Sequence, residues 1–184
     1  MGVGGTGAVM GDERGGVRGI DHVGVTVPDL DAATDFFCEA LDAEVLYDTL
    51  RRADGPNAGP GTERHLGVPA GTQEIAVRML ALPHGPGLEL MEFAGPRQSA
   101  PVLPCDLGWQ HLAVYVDDLE AAAGRVAAAG GRLLDEPKPL PGPESGRRNR
   151  FQYTRTPWGS TLELLTYPDP QPYETATPRR RWRP

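Results

Sequence analysis

Cysteine is nearly absent from this chain: Cys38 and Cys105 are the only two in 184 residues, too few for a disulfide framework and without the spacing of a thiolate metal site. Cys38 falls on the apolar stripe of a helical segment, where a buried free thiol is ordinary. No apolar run approaches the roughly 20 residues that span a bilayer, and residues 1–17 are rich in glycine with no hydrophobic signal core. The expectation is a soluble, cytoplasmic protein with no membrane partner. Basic charge is scarce as well, since Lys+Arg 18 against Asp+Glu 25 leaves a formal net charge of −7. No interior stretch gathers enough arginine to follow a phosphate backbone, so nucleic acid is excluded as the expected partner and a small-molecule substrate is favoured.

What the chain does have is repetition. The segment Asp21-His22-Val23-Gly24-Val25-Thr26-Val27-Pro28-Asp29-Leu30 returns as Gln110-His111-Leu112-Ala113-Val114-Tyr115-Val116-Asp117-Asp118-Leu119, and Leu88-Glu89-Leu90 returns as Leu162-Glu163-Leu164. Self-similarity that preserves a histidine, an alternating strand and a helix start signals a duplicated structural unit. Period-two alternation predicts a strand ending at Pro28. Asp29 is a candidate N-cap, and Leu30, Ala33, Phe36, Phe37 and Leu41 recur at helical spacing. Strands are predicted over 44–50, 75–82 and 88–93, with a long loop at 51–71 marked by Gly55-Pro56 and Gly59-Pro60-Gly61.

The second unit repeats the order: a strand at 109–116, a helix over 118–129 stopped by Gly130-Gly131, a short strand at 132–134 and a hairpin of 151–155 with 161–166. The expected organisation is a disordered leader at 1–17, a first βαβββ module at 18–94, a linker at 95–108, a second βαβββ module at 109–167 and a Pro/Arg-rich tail at 168–184. The tail, which finishes Arg179-Arg180-Arg181-Trp182-Arg183, reads as a solvated segment without a catalytic role.

If Val23, Val25 and Val27 pack under the helices, alternation turns His22 to the opposite, concave face of the sheet; the same reasoning applies to His111, Glu89 and Glu163. A carboxylate inside a cupped sheet is costly unless paired. Two carboxylates and two imidazoles together are best satisfied by one divalent cation, and an N2O2 set suits Zn, Ni, Co, Fe or Mn equally. Singly, an inward histidine is most often a hydrogen-bonded pocket residue and a strand glutamate an edge residue; the shared register across two copies is what singles these out. His65 and His84 fall in loops.

At these four positions the chain resembles the vicinal oxygen chelate superfamily, which includes glyoxalase I, methylmalonyl-CoA epimerase, extradiol dioxygenases and bleomycin-binding proteins. The resemblance runs from about Ile20 to Tyr167 and includes the Trp158-Gly159 turn. It implies an α+β fold of two tandem βαβββ modules forming a half-open, glyoxalase-like barrel around one metal. It implies also a homodimer and a ligand set of His22, Glu89, His111 and Glu163. A bleomycin-type binder lacks the metal set, and an extradiol dioxygenase needs an open coordination position where a fourth protein ligand would stand.

The remaining chemistry is proton transfer next to a carbonyl, through an enolate or enediolate. The resemblance gives Glu163 a second role as base, with Glu74 or His65 as the acid or base on the other face. The long first loop, the Pro-Gly loop near Gly142 and the tail resemble the branch of cyclitol epimerases. The expected activity is thus epimerisation of a polyhydroxy ketone of the 2-epi-5-epi-valiolone kind. Methylmalonyl-CoA epimerase and lactoylglutathione lyase are the alternatives within that chemistry; a ring-cleaving dioxygenase and a non-catalytic binding or resistance protein are those outside it.

Overall fold

The computed structural model describes residues 16–184, so most of the expected leader lies outside the described residues. The first repeat runs β1 (His22–Val27), α1 (Leu30–Leu41), β2 (Glu44–Leu50), α2 (Pro60–Leu66), β3 (Gln73–Ala81) and β4 (Gly87–Ala94). The second runs β5 (His111–Tyr115), α3 (Leu119–Ala128), β6 (Arg132–Leu133), β7 (Lys138–Pro139), β8 (Arg150–Arg155) and β9 (Thr161–Thr166), followed by the one-turn α4 (Tyr173–Ala176). Each repeat forms its own sheet, in the orders β1-β4-β3-β2 and β5-β9-β8-β6, with β7 added beside β8. The first strand of each pairs in parallel with the last, at matching register. Among the described residues the two sheets share no strand pair and no closed barrel forms: the fold is α+β with two sheets.

Both long helices begin as their aspartates dictate. The Asp29 carboxylate accepts from the backbone N–H groups of Asp31 and Ala32 at 3.0 and 2.9 Å, and that of Asp118 from Ala121 at 2.9 Å, satisfying donors that a helix start leaves free. α1 ends at Asp42 in the left-handed conformation, φ 54°. The apolar stripes then bury Leu30, Ala33, Phe36, Phe37 and Ala40 of α1 and Leu119, Ala122 and Val126 of α3 in one core, with Leu80, Leu88, Leu90, Leu162 and Leu164 from the sheets. Each fully buried leucine stabilises by roughly 1.5–3 kcal/mol. α1 and α3 pack on each other, and Trp158, from the β8–β9 turn, meets Phe36 and Phe37 edge-on at 5.4 and 5.6 Å.

Several expectations change in detail. The loop after β2 contains the helix α2, where Pro60 supplies the first position and Gly67 the left-handed stop; its glycine and proline punctuation marks the ends of a short helix as well as a loop. Cys38 is only partly buried. The 168–184 tail is not a free solvated segment. It folds back against the second sheet, because Tyr167 offers its aromatic face to Arg181 and Arg183 and the Tyr115 hydroxyl donates to the Trp182 carbonyl. Among the described residues no helix is long and apolar enough to cross a membrane.

Candidate metal centre and active site

Strand register places the four expected ligands as the alternation argument requires. On β1, Val23, Val25 and Val27 pack against the helix core, which sends His22, Gly24 and Thr26 to the other face. Glu89 lies opposite Gly24 across the β1–β4 pair, and Glu163 opposite Ala113 across β5–β9. In both halves a small residue thus faces the glutamate, and the histidine two positions earlier leans over it. His22 Nε2 stands 3.5 Å from Glu89 Oε2, and His111 Nε2 stands 3.2 Å from Glu163 Oε2. At Gly24 the space is already taken: an added Cβ would lie 2.9 Å from Met91 Cε.

The outer ring nitrogens are engaged as well. His22 Nδ1 is 2.8 Å from the Asp21 carboxylate and His111 Nδ1 is 2.8 Å from the Gln110 side-chain oxygen. Holding Nδ1 in this way fixes the ring and leaves Nε2 as the electron-pair donor, the arrangement common behind metal-ligating histidines. Two donors each about 2.0–2.1 Å from one tetrahedral ion stand about 3.3 Å apart. Both His–Glu pairs match that edge, so their donor chemistry fits a divalent metal.

The four do not converge within one chain. Among the described residues no group of three or more His, Cys, Asp or Glu side chains is placed to hold a metal ion. The four side chains expected to form one cluster stand instead as two His–Glu pairs, one per sheet, because α1 and α3 pack on each other in a core shared by both repeats and each sheet carries its pair on the other face.

The electrostatics differ between the halves. Hydrogen bonding to Asp21 raises the proton affinity of His22, burial opposes it, and Glu89 adds to the rise. Burial pushes the Glu163 carboxyl above the usual range, His111 pulls it back, Glu144 raises it and Arg181 lowers it. Tyr153, opposite Glu163 on β8, packs edge-on against His111 at 5.8 Å between ring centroids, and burial raises its phenol.

Glu74 and His65 join neither pair. Glu74 shares the sheet face of Phe93 and accepts a 2.8 Å hydrogen bond from Asn57 Nδ2, within a two-way backbone bridge between the same residues. His65 is exposed on α2. The residues overlooked by sequence reasoning are Asp21 and Gln110, legible as a repeated polar neighbour of each histidine, and Glu144, Tyr153 and Arg181, which only the fold brings to Glu163. A cavity of about 660 Å³ lies alongside, lined by β1 and β5 and including Thr26, Phe37, Trp109, His111 and Trp158.

Comparison with known proteins agrees with this architecture. A glyoxalase family protein from Bacillus cereus superposes with a TM-score of 0.64 at 20% identity, over 84% of this chain and 97% of its own. A glyoxylase/bleomycin resistance protein/dioxygenase domain from Frankia sp. EAN1pec gives 0.56 at 21% identity, over 82% and 98%. In sequence, a protein of Actinomyces sp named 2-epi-5-epi-valiolone epimerase is 40% identical over 173 residues, 92% of this chain and 90% of that one. The family model described as Glyoxalase/Bleomycin resistance protein/Dioxygenase superfamily matches residues 19–164, nearly the whole of both repeats, and the chain belongs to that superfamily.

Proposed function

We propose that this protein is a metal-dependent epimerase that removes a proton from the carbon beside a carbonyl and returns it on the other face. Its substrate is a polyhydroxy cyclitol ketone of the 2-epi-5-epi-valiolone class. The observation that carries the reading is the repeated donor edge: in each half a histidine Nε2 and a glutamate Oε2 stand 3.5 and 3.2 Å apart, behind a ring whose second nitrogen is already held. The 40% identity to the Actinomyces protein named as such an epimerase supports the substrate class.

His22, Glu89, His111 and Glu163 are the residues that would hold one divalent ion, of Zn, Ni, Co, Fe or Mn. Such an ion supplies Lewis acidity at the carbonyl oxygen, which acidifies the neighbouring C–H. Glu163 takes the proton. Burial raises its affinity for protons, bringing a carboxylate nearer the range in which a general base works at neutral pH. Glu89 holds the equivalent register in the other repeat and is the counterpart acid for the opposite face, in place of Glu74, which is bound to Asn57.

A half-site of two ligands is incomplete, and a homodimer completes it. A twofold-related copy sets His22 and Glu89 of one protomer against the second pair of its partner, giving two shared sites. Apolar side chains flank both pairs in the form such an interface uses: Ile20 is 72% exposed and Trp109 is 99% exposed, each two residues before its histidine.

Incubation of the metal-loaded protein with the cyclitol ketone in deuterated water tests the reaction. Deuterium enters alpha to the carbonyl as the epimer forms. Retention of all protium by a protein with a full complement of metal would refute the proposal.

A further inference from the structure

The second half-site carries polar groups that the proposed chemistry does not use. Arg181 ion-pairs with Glu144, and the guanidinium lies 5.5 Å from the centroid of the Tyr167 ring. Tyr167 meets Tyr115 edge-on at 5.0 Å. Tyr115 sits on β5 four residues beyond His111, on the same face. Tyr153 closes the row against His111 and packs on Phe151 at 5.6 Å. Together these residues make a partly buried aromatic cluster, Tyr167 being covered by Arg181 and Arg183, with an acid and a guanidinium at its rim.

Besides their mutual ion pair, both rim groups are set in place by backbone contacts around them. Glu144 sits in a short 3-10 turn at Gly142–Glu144. Asn149, with no exposed surface, donates to the Glu144 and Asp169 carbonyl oxygens at 3.2 Å each and accepts from the Asp169 N–H at 3.0 Å. The tail is pinned by the Tyr115 hydroxyl donating to the Trp182 carbonyl at 2.7 Å, by the Arg181 N–H donating to the Tyr173 hydroxyl at 3.0 Å, and by Arg183 pairing with Glu174 at 2.6 Å. Trp182 reaches the first repeat, where its ring lies over Gly85 in the β3–β4 turn.

The Arg181 and Glu144 side chains remain 37% and 39% exposed, and an exposed ion pair contributes little to stability. Beyond that one mutual bond, neither side chain makes another hydrogen bond among the described residues. A carboxylate accepts from two adjacent hydroxyls, a guanidinium donates to their oxygens, and aromatic faces cover the C–H surface of a saturated ring. We propose that Arg181 and Glu144 form a polyol-recognition wall beside the His111–Glu163 pair, making them the specificity-determining residues for vicinal hydroxyls of the substrate. This deepens the epimerase reading and rests on it for the identity of the natural substrate.

The test uses the full metal-loaded chain and two readouts. Titration calorimetry with myo-inositol, a cyclitol without a carbonyl, reads the wall without the reaction; steady-state kinetics with the cyclitol ketone reads it in turnover. Arg181→Ala and Glu144→Gln each weaken inositol binding and raise KM about tenfold, the loss of one charged hydrogen bond, while kcat stays within about threefold. Arg181→Lys recovers part of the affinity, since it keeps the charge and loses the fork. Arg180→Ala, whose guanidinium bonds only to tail carbonyls, matches the parent chain.

Inorganic phosphate separates a polyol wall from an anion site. Glu144→Gln would strengthen phosphate binding and spare inositol if Arg181 served an anion, and that result would overturn the proposal. Unchanged inositol affinity and KM in both variants, with epimerisation intact, would overturn it without touching the epimerase reading. A parent chain that binds inositol yet exchanges no proton in any ketone would leave the wall standing and remove the reaction.

Discussion

His22 and Glu89 keep 38% and 24% of their side-chain surface exposed, whereas His111 and Glu163 keep 29% and 14%. The repeats share the register that makes these pairs and differ in what covers them. In the first half the edge strand β2 leaves Val45, Leu46 and Tyr47 about half exposed. In the second, Leu140, Leu165 and Tyr167 are buried in a small core of their own with Tyr115 and Phe151 packed against it, and the tail closes over them. Duplication gave two equivalent His–Glu pairs; divergence covered one pair more than the other, and in the proposed dimer the more open pair is the one that meets the partner subunit.

Tests that break this comparison begin with the pairs themselves. Glu163→Gln lowers kcat by at least about 100-fold, the low end of what a positioned acid–base group supplies, and chelation of the metal abolishes turnover until the metal is restored. His22→Ala and His111→Ala are both inactive, but co-expressed with different tags they form heterodimers that recover activity, because one of the two shared sites is then intact. An inactive heterodimer of confirmed composition would return both pairs to a single chain.

Next in size, Asn149→Ala destabilises the second half by roughly 1–3 kcal/mol, because the Glu144 and Asp169 backbone groups lose a buried partner. Denaturant unfolding measures the loss, and KM rises with it as Glu144 loses its place. Trp109→Ala leaves the melting temperature of the chain within a few degrees and weakens the dimer by about 2 kcal/mol, the worth of an interface anchor, as sedimentation velocity would report. Equal sedimentation of parent and variant would remove Trp109 from the interface.

The smallest effect sharpens the contrast from the other side. The first half is braced by Arg78, which donates to Asp48 at 2.7 Å and to Asp31 and Thr34 at 3.0 and 3.1 Å. Hydrogen bonding to Arg78 holds the Asp48 carboxyl below its ordinary value against the opposing effect of burial. A depressed folded-state pKa contributes stability that is present above the unfolded value, about 3.9, and is lost as pH falls through the folded one. Asp48→Asn therefore flattens the acid limb of a stability–pH profile below about pH 4 and leaves its neutral limb shifted by a constant amount. An acid limb of unchanged slope would detach Asp48 from this linkage.

The modules were legible because each depended on local rules. Alternation in Val23, Val25 and Val27 is enough to choose a face for His22, and aspartate before an apolar helical stripe is enough to start α1 and α3. The short α2 escaped because proline and glycine mark loop and helix ends alike. The site was legible in part: register within each repeat named the histidine and glutamate that the structure pairs. The grouping of the two pairs was not legible, since it depends on how two sheets and two helices pack. The polyol wall was invisible, as Glu144 and Arg181 lie 37 residues apart in sequence and have no periodicity to join them.

The amino-acid order by itself determined the duplicated modules, the strand faces and the matching places of two histidines and two glutamates, because those follow from backbone periodicity and capping over a few neighbouring residues. Tertiary structure alone decided that these side chains stand as two separate pairs and that the arginine tail packs on the sheet beside one of them. Such outcomes are settled by which apolar surfaces bury one another across distant parts of the chain, a competition that no local pattern records.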